Sequence, residues 1–524
     1  MSSKTPEERE SQVEVQGEAV NEERDGASCL WLGPVEPCAI VIFGASGDLT
    51  ARKLVPALYN LYTQGGLPRR FLILGAARSG LSDDEFRSRM KKAVLAGEGR
   101  DPGPWEEFAA CLHYQPLTYD EPGDYTTLGV RLERLEALHG TGGGRVFNLA
   151  VPPDIYQTVA VNLGRAGLGR QERGWTRVVV EKPFGRDLAS ARALNQALTA
   201  HFDEEQVYRI DHYLAKETVQ NILMLRFANA IFEPVWNRNY VDHVSIVSSE
   251  TLGVEHRAGY YERAGVLRDM FQNHMLQLLS LVAQEPPSIF EAERVRDEKV
   301  KVFRSFRPFD LDNLDANLVL GQYGQGTVNG QPAPPYRAEA GVAPDSLTPT
   351  FALMKIFVDN WRWQGVPFFL VSGKRMRSKI TRLVIHFKEV PHALMRQVLG
   401  DHITANRLAL GIHPDETISL TIQTKNPGAR LCLRTVRMLF DYHQGYEAPR
   451  LEAYEKALLD CMLGERILFW RQDGLEMCWS FLDPVLNLCE TCGNRAERLK
   501  PYPAGSWGPP EAAALMRGRP LPWA

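Results

Sequence analysis

The run Ala39-Ile-Val-Ile-Phe43, stopped by Gly44 and followed by Ala-Ser-Gly47-Asp-Leu-Thr50, constrains the fold more than any other stretch of the chain. Five consecutive apolar residues suit a strand buried on both faces, as a parallel sheet requires. A glycine turn that ends such a strand and opens a helix is the setting of a dinucleotide loop. Glycine lets the backbone approach a pyrophosphate, and free N–H groups of the helix face its charge. Gly44, Ala45, Ser46, Gly47, Asp48 and Leu49 are therefore candidate phosphate contacts. The second glycine falls one place later than in G-x-G-x-x-G, and a plain strand-to-helix turn fits the same residues. Lys53, about a turn further on, could add charge to the phosphates or simply face solvent.

Three more apolar runs repeat the pattern: Phe71–Gly75, Gly144–Ala150 and Arg177–Glu181, separated by helical stretches such as Lys53–Tyr62 and Ser190–Phe202. This alternation predicts an α/β unit, a parallel sheet of Rossmann type with helices on both faces. The second run ends in Ala76-Ala77-Arg78-Ser79. An acid there would take ribose hydroxyls, whereas Arg78 suits a 2′-phosphate, so the cofactor expected is NADP. A solvated arginine is the bland alternative. After about residue 212 the texture changes to longer runs joined by turns: His243–Val247, Phe351–Val358, Pro367–Val371, Thr381–Phe387, Ala409–Ile422 and Leu431–Phe440. They predict an α+β unit with a large, mainly antiparallel sheet flanked by helices over Val266–Val282 and, with breaks, Leu451–Cys492. A loop rich in Gly and Pro is expected over Gly324–Pro349.

With 524 residues the chain exceeds one core. The division expected is a disordered N-terminal extension over 1–30, a dinucleotide-binding unit over 31–212, and a substrate-binding and dimerisation unit over 213–524. The first stretch is polar and lacks the large apolar residues that would order it. Lys+Arg total 60 against 64 Asp+Glu, a net charge of −4, which gives no nucleic-acid bias. No apolar run nears the roughly 20 residues of a membrane span and no secretory signal opens the chain, so a cytoplasmic protein is expected. The eight cysteines are scattered. Cys489-Glu-Thr-Cys492 lacks the second pair a zinc site would want, and these thiols are read as packing residues; Cys29 and Cys38, flanking the start of the ordered chain, could be oxidation-sensitive, with a bland pair of thiols as the favoured reading.

Two short stretches carry the chemistry. Arg209-Ile-Asp-His-Tyr-Leu-Ala-Lys-Glu217 sets Asp211, His212, Tyr213 and Lys216 where a weak strand hands over to a helix. Cations beside a helix N-terminus cradle an anion, and a phosphorylated substrate fits; a solvated surface junction fits too. Glu181-Lys-Pro-Phe-Gly-Arg-Asp187 follows a very apolar strand, at the edge where open parallel sheets bind ligands. Lys182 would project there, and Pro183 could fix the turn with a cis bond.

Taken together, GASGDL at Gly44, EKPFGRD at Glu181 and RIDHYLAKE at Arg209 resemble the glucose-6-phosphate dehydrogenase family. The similarity runs from about Cys38 to Pro510 and includes Arg268-Asp-Met-Phe-Gln-Asn-His274, Arg296-Asp-Glu-Lys-Val-Lys301 and Gly373-Lys374. The resemblance implies oxidation of D-glucose 6-phosphate to 6-phospho-D-glucono-1,5-lactone with hydride passing to NADP, the first step of the oxidative pentose phosphate pathway. It implies His274 as general base and Asp211 as the carboxylate that orients it. It further implies His212, Tyr213 and Lys216 as phosphate anchors, Lys374 and Lys379 as substrate contacts, Glu250 and Asp269 as acceptors of sugar hydroxyls, and Lys182 touching both substrate and nicotinamide. Tyr156 would be a cofactor contact, no metal would be needed, and the assembly would be a homodimer or homotetramer. Val371, Gly411 and Trp507 stand where some animal members hold a second NADP, so the form expected is the bacterial-like one without it. His413 stands where a Gln is expected. Rival readings are an oxidoreductase of unphosphorylated sugars, against which the His212–Lys216 cations argue, and a catalytically silent NADP-binding regulator, against which the joint presence of Asp211, His274 and Lys182 argues.

Overall fold

The computed structural model describes residues 13–16, 35–96, 103–390, 403–428, 432–442 and 451–520. Strand β1 (Val13–Gln16) runs parallel to the edge of the large sheet, Val13 opposite Val436 and Gln16 opposite Leu439. The disorder expected over 1–30 is thereby corrected for these four residues. An open sheet edge presents unpaired N–H and C=O groups, and a short extended Val-Glu-Val-Gln segment can complete them without a core of its own. The rest of that extension, Cys29 included, lies outside the described residues.

Six parallel strands build the first sheet: β2 (Cys38–Phe43), β3 (Phe71–Ala77), β4 (Leu112–Pro116), β5 (Arg145–Leu149), β6 (Thr176–Val180) and β7 (Val207–Arg209), in the order β4-β3-β2-β5-β6-β7. This is the doubly wound order of a dinucleotide fold, with its switch point between β2 and β5. Every residue of β2 and β3 is buried because helices cover both faces. Ile40, Ile42 and Ile73 meet Leu58, Phe86 and Met90 on one side, and Val41, Phe43 and Leu74 meet Leu128, Leu132 and Leu163 on the other. Each such aliphatic side chain contributes roughly 1.5–3 kcal/mol by leaving water. Strand β4 escaped the sequence reading because His113 and Gln115 interrupt its apolar pattern, as suits an edge. Part of the cover arrives from far away: the helix Ala453–Leu463 lays Leu458, Leu459 and Met462 into the same core as Ile40.

The second sheet is ten-stranded. It contains β8 (Val241–Ser249), β9 (Leu318–Gly324), β12 (Phe351–Phe357), β13 (Pro367–Gly373), β14 (Ile380–Phe387), β15 (Arg407–His413), β16 (Thr417–Lys425), β17 (Leu433–Asp441) and β18 (Leu499–Pro503), in the order β1-β17-β16-β15-β14-β8-β13-β12-β9-β18. Pairing is antiparallel except at β1/β17, β8/β13 and β9/β18. The run expected over Ala409–Ile422 is two strands, split where the His413–Pro414 bond turns the chain. The expected loop over Gly324–Pro349 holds a small hairpin, β10 (Gly326–Val328) with β11 (Gln331–Ala333). The helix expected over Val266–Val282 is three segments: Ala258–Val266, a π-helical Leu267–Met275, and Leu276–Ala283. These helices sit on the inner face of the sheet, and one apolar cluster runs from Val41 and Leu149 through Leu278 to Ile246 and Leu383. The strand ends of the first sheet therefore face the helices of the second unit.

Candidate active site

Strands β6 and β7 deliver two of the expected residues side by side, tied where the Ile210 N–H donates to the Val180 carbonyl. Lys182 follows β6 and is itself followed by a cis Lys182–Pro183 bond, and Asp211 follows β7. The π-helix supplies the other two. In an α-helix residues five apart point about 140° away from each other, but i→i+5 winding brings them nearly above one another. Asp269 and His274 thus present to the same ammonium. Lys182 Nζ lies 2.8 Å from His274 Nε2 and 3.3 Å from Asp269 Oδ1.

His274 Nδ1 lies 2.5 Å from Asp211 Oδ1, which also accepts the Tyr213 backbone N–H at 2.9 Å. Both partners are buried, His274 at 1% exposure and Asp211 at 3%. An ammonium on Nε2 and a carboxylate on Nδ1 leave one consistent arrangement: Nδ1 carries the proton and Nε2 its lone pair. Burial pushes the Asp211 acid up, but His274, His212 and the Tyr213 N–H together outweigh it and hold the group down at about 2. For His274, burial dominates and lowers the pKa, with Asp211 opposing. The dyad is an anion beside a neutral imidazole, which is the form a general base needs.

Around it the cations divide into two groups. The Tyr213 ring stacks on His274 at 4.1 Å, with its hydroxyl 2.9 Å from Ser248 Oγ, and His212 meets the His274 ring edge-on at 4.7 Å. Lys216 occupies the N-cap position of the helix Glu217–Phe227, its Nζ 4.4 Å from the centre of the Tyr213 ring. Burial and then the charge of Lys379 lower the Lys216 pKa, and after burial the same two lysines depress His413. His212, Lys216, Lys379 and His413 therefore converge on one anion-seeking corner. On the other side Lys374 pairs with Glu250, and Tyr260 donates to Asp269 at 3.1 Å. Burial opposes ionisation of Asp269, yet the Lys182 and Lys374 ammoniums hold its acid well below the ordinary range. Asp211, His212 and His274 also bring possible ligand atoms within 4.8 Å of one another. The ammonium already on Nε2 of His274 makes that corner a poor cation site.

At the other end of the cleft, Gly44 ends β2 at φ +83°, and a Cβ there would lie 2.1 Å from the Ala150 carbonyl at the tip of β5. Only glycine fits this switch-point turn. Its carbonyl accepts the Gly47 N–H at 2.8 Å and the Thr50 hydroxyl at 3.2 Å, which closes the loop before a short π turn and the helix Val55–Thr63. Ser46 is held by the Ser79 hydroxyl at 3.1 Å and by Arg89 on its carbonyl. Arg78 is exposed just past β3, with its guanidinium 5.8 Å from the Tyr119 ring. Lys53 is exposed on the π turn, and Asp48 pairs with Arg52 at 2.7 Å.

Glu181 and Tyr454 were not singled out from the sequence. Burial pushes the Glu181 acid up to about 7; Tyr454 donates to its Oε2 at 3.3 Å, and its Oε1 is buried without a partner among the described residues. The acidic start of Glu-Lys-Pro at a strand end was the available signal for Glu181. Nothing in sequence ties Tyr454 to that carboxyl 273 residues away. Tyr156 is buried beside Glu181, Tyr454 and Tyr260, and burial keeps its phenol protonated. A dinucleotide fits these features: a side-chain-free cradle for its phosphates at Gly44, and an orphaned carboxyl oxygen at the far end of the same sheet edge, where a carboxamide could donate. Two further expectations concern residues away from the cleft. Gly411 has no room for a side chain, a Cβ there lying 2.0 Å from the Asp415 carbonyl, and Val371 is buried. Cys489 is a half-buried free thiol, raised to about 11 by burial.

Two family models match the chain: "Glucose-6-phosphate dehydrogenase, NAD binding domain" over residues 41–221 and "Glucose-6-phosphate dehydrogenase, C-terminal domain" over residues 223–524. A glucose-6-phosphate 1-dehydrogenase of Aggregatibacter actinomycetemcomitans is 45% identical over 481 residues, 92% of this chain and 96% of that protein. The Bacillus subtilis protein of the same name is 41% identical over 486 residues, 92% and 97%. A solved glucose-6-phosphate dehydrogenase in complex with its substrate glucose-6-phosphate superposes with a TM-score of 0.85 at 36% identity, covering 92% of this chain and 97% of that one. On these matches the chain belongs to the glucose-6-phosphate dehydrogenase family.

Proposed function

We propose that this chain oxidises C1 of D-glucose 6-phosphate to the 6-phospho-1,5-lactone, with NADP as acceptor. The observation that carries the reading is the neutral, Asp211-anchored His274, whose Nε2 faces Lys182, with the cations of Lys216 and Lys379 beside a neutral His212 at one end and the Gly44 loop along the sheet edge. Bound NADP supplies the hydride acceptor. His274 Nε2, the atom Lys182 now contacts, takes the C1 hydroxyl proton, and Asp211 stabilises the imidazolium that forms. Loss of that proton turns the C1–O bond into a carbonyl as the C1 hydrogen leaves with its electron pair. His212, Tyr213 and Lys216 anchor the phosphate; Lys374 and Lys379 donate to the substrate; Glu250 and Asp269 accept from sugar hydroxyls; Lys182 spans substrate and nicotinamide. Such anchoring converts binding energy into alignment of C1. Gly44, Ala45, Ser46, Gly47, Asp48 and Leu49, with Lys53, Arg78 and Tyr156, hold the cofactor.

Reduction of NADP with glucose 6-phosphate and with glucose, in parallel, tests the reading. Turnover of the phosphate ester at least a hundredfold better in kcat/KM is the expected result. Equal turnover of glucose would overturn the phosphate corner. A homodimer or homotetramer built through the large sheet and a cytoplasmic location complete the proposal; among the described residues no helix is long and apolar enough to cross a membrane.

A further inference from the structure

Away from the His274 cleft, a cavity of about 60 Å³ lies between the end of the helix Gln472–Thr491, the first turn of the π-helical segment at Leu267, and strands β9 and β18. None of the residues assigned above to substrate or cofactor lines it. Its charged lining is Arg263, Arg268, Arg495 and Arg498 against Glu262 and Glu490, which leaves two positive charges in excess. Arg268 pairs with Glu490 and donates from Nε to the Arg186 carbonyl at 2.8 Å. Glu262 accepts from neutral donors, the hydroxyls of Tyr336 at 2.5 Å and Ser346 at 2.7 Å. Cys489 also lines the cavity, and burial keeps its thiol protonated, so it adds no counter-charge. The C-terminal end of the helix offers roughly half a negative charge, too little to balance the excess.

Arg498 is the residue that points to a ligand. Its Nε and Nη1 are buried with no hydrogen-bond partner among the described residues. The carboxylate it faces, Asp315, keeps its Oδ1 4.0 Å from Nε, beyond hydrogen-bond reach, on a side chain 75% exposed. A buried donor left unpaired carries its full desolvation cost. Water fits a space of this size, since one molecule needs about 10–15 Å³, and would satisfy the donors. It would leave the charge unbalanced, whereas an anion meets both needs. The remaining walls choose between anions, because Leu267, Leu320, Leu347, Leu486 and Leu499 are apolar. Against them an inorganic ion loses hydration without return, and a short hydrocarbon body gains by leaving water.

We propose that this cavity binds a small aliphatic carboxylate, its oxygens on Arg498 and a chain of a few carbons among the leucines. The volume gives room for roughly four to six water-sized groups. Guanidinium and carboxylate match in geometry as well as in charge. The site stands apart from the assignment of His274 and of the phosphate corner.

The test is calorimetric titration of the full-length protein with butyrate, with its neutral counterpart butyramide and with inorganic phosphate, at constant ionic strength. Wild type, Arg498→Gln, Leu347→Phe and Lys216→Gln are compared, each shown to be folded by thermal unfolding. Wild type and Lys216→Gln should each show one saturable butyrate site in the millimolar range, which separates this cavity from the phosphate corner. Arg498→Gln should weaken butyrate about tenfold or more, as loss of a charge-assisted contact does. Leu347→Phe fills the space without touching Arg498 and should weaken it as much, so the test survives if Arg498→Gln does not fold. Butyramide should fail to saturate, and phosphate should bind more weakly than butyrate. Absence of a saturable butyrate site, or butyrate binding that is unchanged in a folded Arg498→Gln or Leu347→Phe variant, overturns the site. Equal binding of butyramide overturns the role of charge, and tighter binding of phosphate overturns the carboxylate.

Discussion

His274 donates from Nδ1 to Asp211 at 2.5 Å while its Nε2 faces Lys182 at 2.8 Å, so one imidazole is gripped by opposite charges on its two nitrogens. The carboxylate fixes the proton on Nδ1 and the ammonium requires a lone pair on Nε2. The ring is held in the tautomer that can accept a proton. The contact comes from a strand end, a second strand end and a π-helical turn, three segments that are distant in sequence.

Replacing His274 by Asn removes the acceptor and leaves the phosphate corner intact. We expect kcat to fall about a thousandfold with KM for glucose 6-phosphate nearly unchanged. Asp211→Asn keeps the shape but removes the charge that stabilises the imidazolium. We expect kcat lower by on the order of a hundredfold or more, and the residual acid limb displaced to lower pH, because the lost carboxylate had been raising the His274 pKa. A limb displaced upward would contradict the assignment.

Arg78 stands exposed at the end of β3, where the adenosine ribose of a dinucleotide comes to rest in this fold. A charge-assisted contact to a 2′-phosphate is worth about 1.5–3 kcal/mol. Arg78→Ala should therefore weaken NADP roughly ten- to a hundredfold and leave NAD within about twofold, measured as KM or by titration calorimetry. Equal loss of both would remove the 2′-phosphate role.

Lys216 faces the like charge of Lys379, which after burial depresses its pKa and which a bound anion would offset. Lys216→Gln should raise KM for glucose 6-phosphate about tenfold or more and change kcat far less, while thermal stability holds or rises as like-charge repulsion falls. A variant with unchanged KM would place the phosphate elsewhere.

His243 on β8 and His386 on β14 are opposite each other and stack at 4.0 Å, both buried. Burial first, then the charge of its partner, holds His386 at about 3. The folded state therefore binds fewer protons than the unfolded state between about pH 3 and the ordinary histidine value near 6.5, and stability must fall as pH drops through that window. Between pH 6.5 and 4.5 this single group should cost about 2–3 kcal/mol. Urea unfolding of wild type and His386→Leu at the two pH values checks it: the variant should lose less on acidification, and an identical loss would show that the pair does not titrate as proposed.

Much of the architecture was legible because its signals are local. The apolar runs at Ala39 and Phe71, each ended by small residues, suit doubly buried parallel strands, and Gly44 is glycine because nothing larger fits against the Ala150 carbonyl. Asp211, Lys182 and Gly44 were readable as strand-end residues for the same reason, since an open parallel sheet delivers its ligands at that edge. The family resemblance supplied His274, which by itself reads as one more residue in an apolar helix. Packing alone decided the rest. The π winding that turns Asp269 and His274 to one side depends on helices pressed between two sheets, a constraint no local pattern announces. Tyr454 on Glu181 and β1 on the edge of β17 each join segments far apart in the chain, because burial makes a charge or an unpaired backbone seek whatever partner the fold brings near. Local sequence set the strands and their ends; long-range burial chose which charges meet there and which proton the imidazole holds.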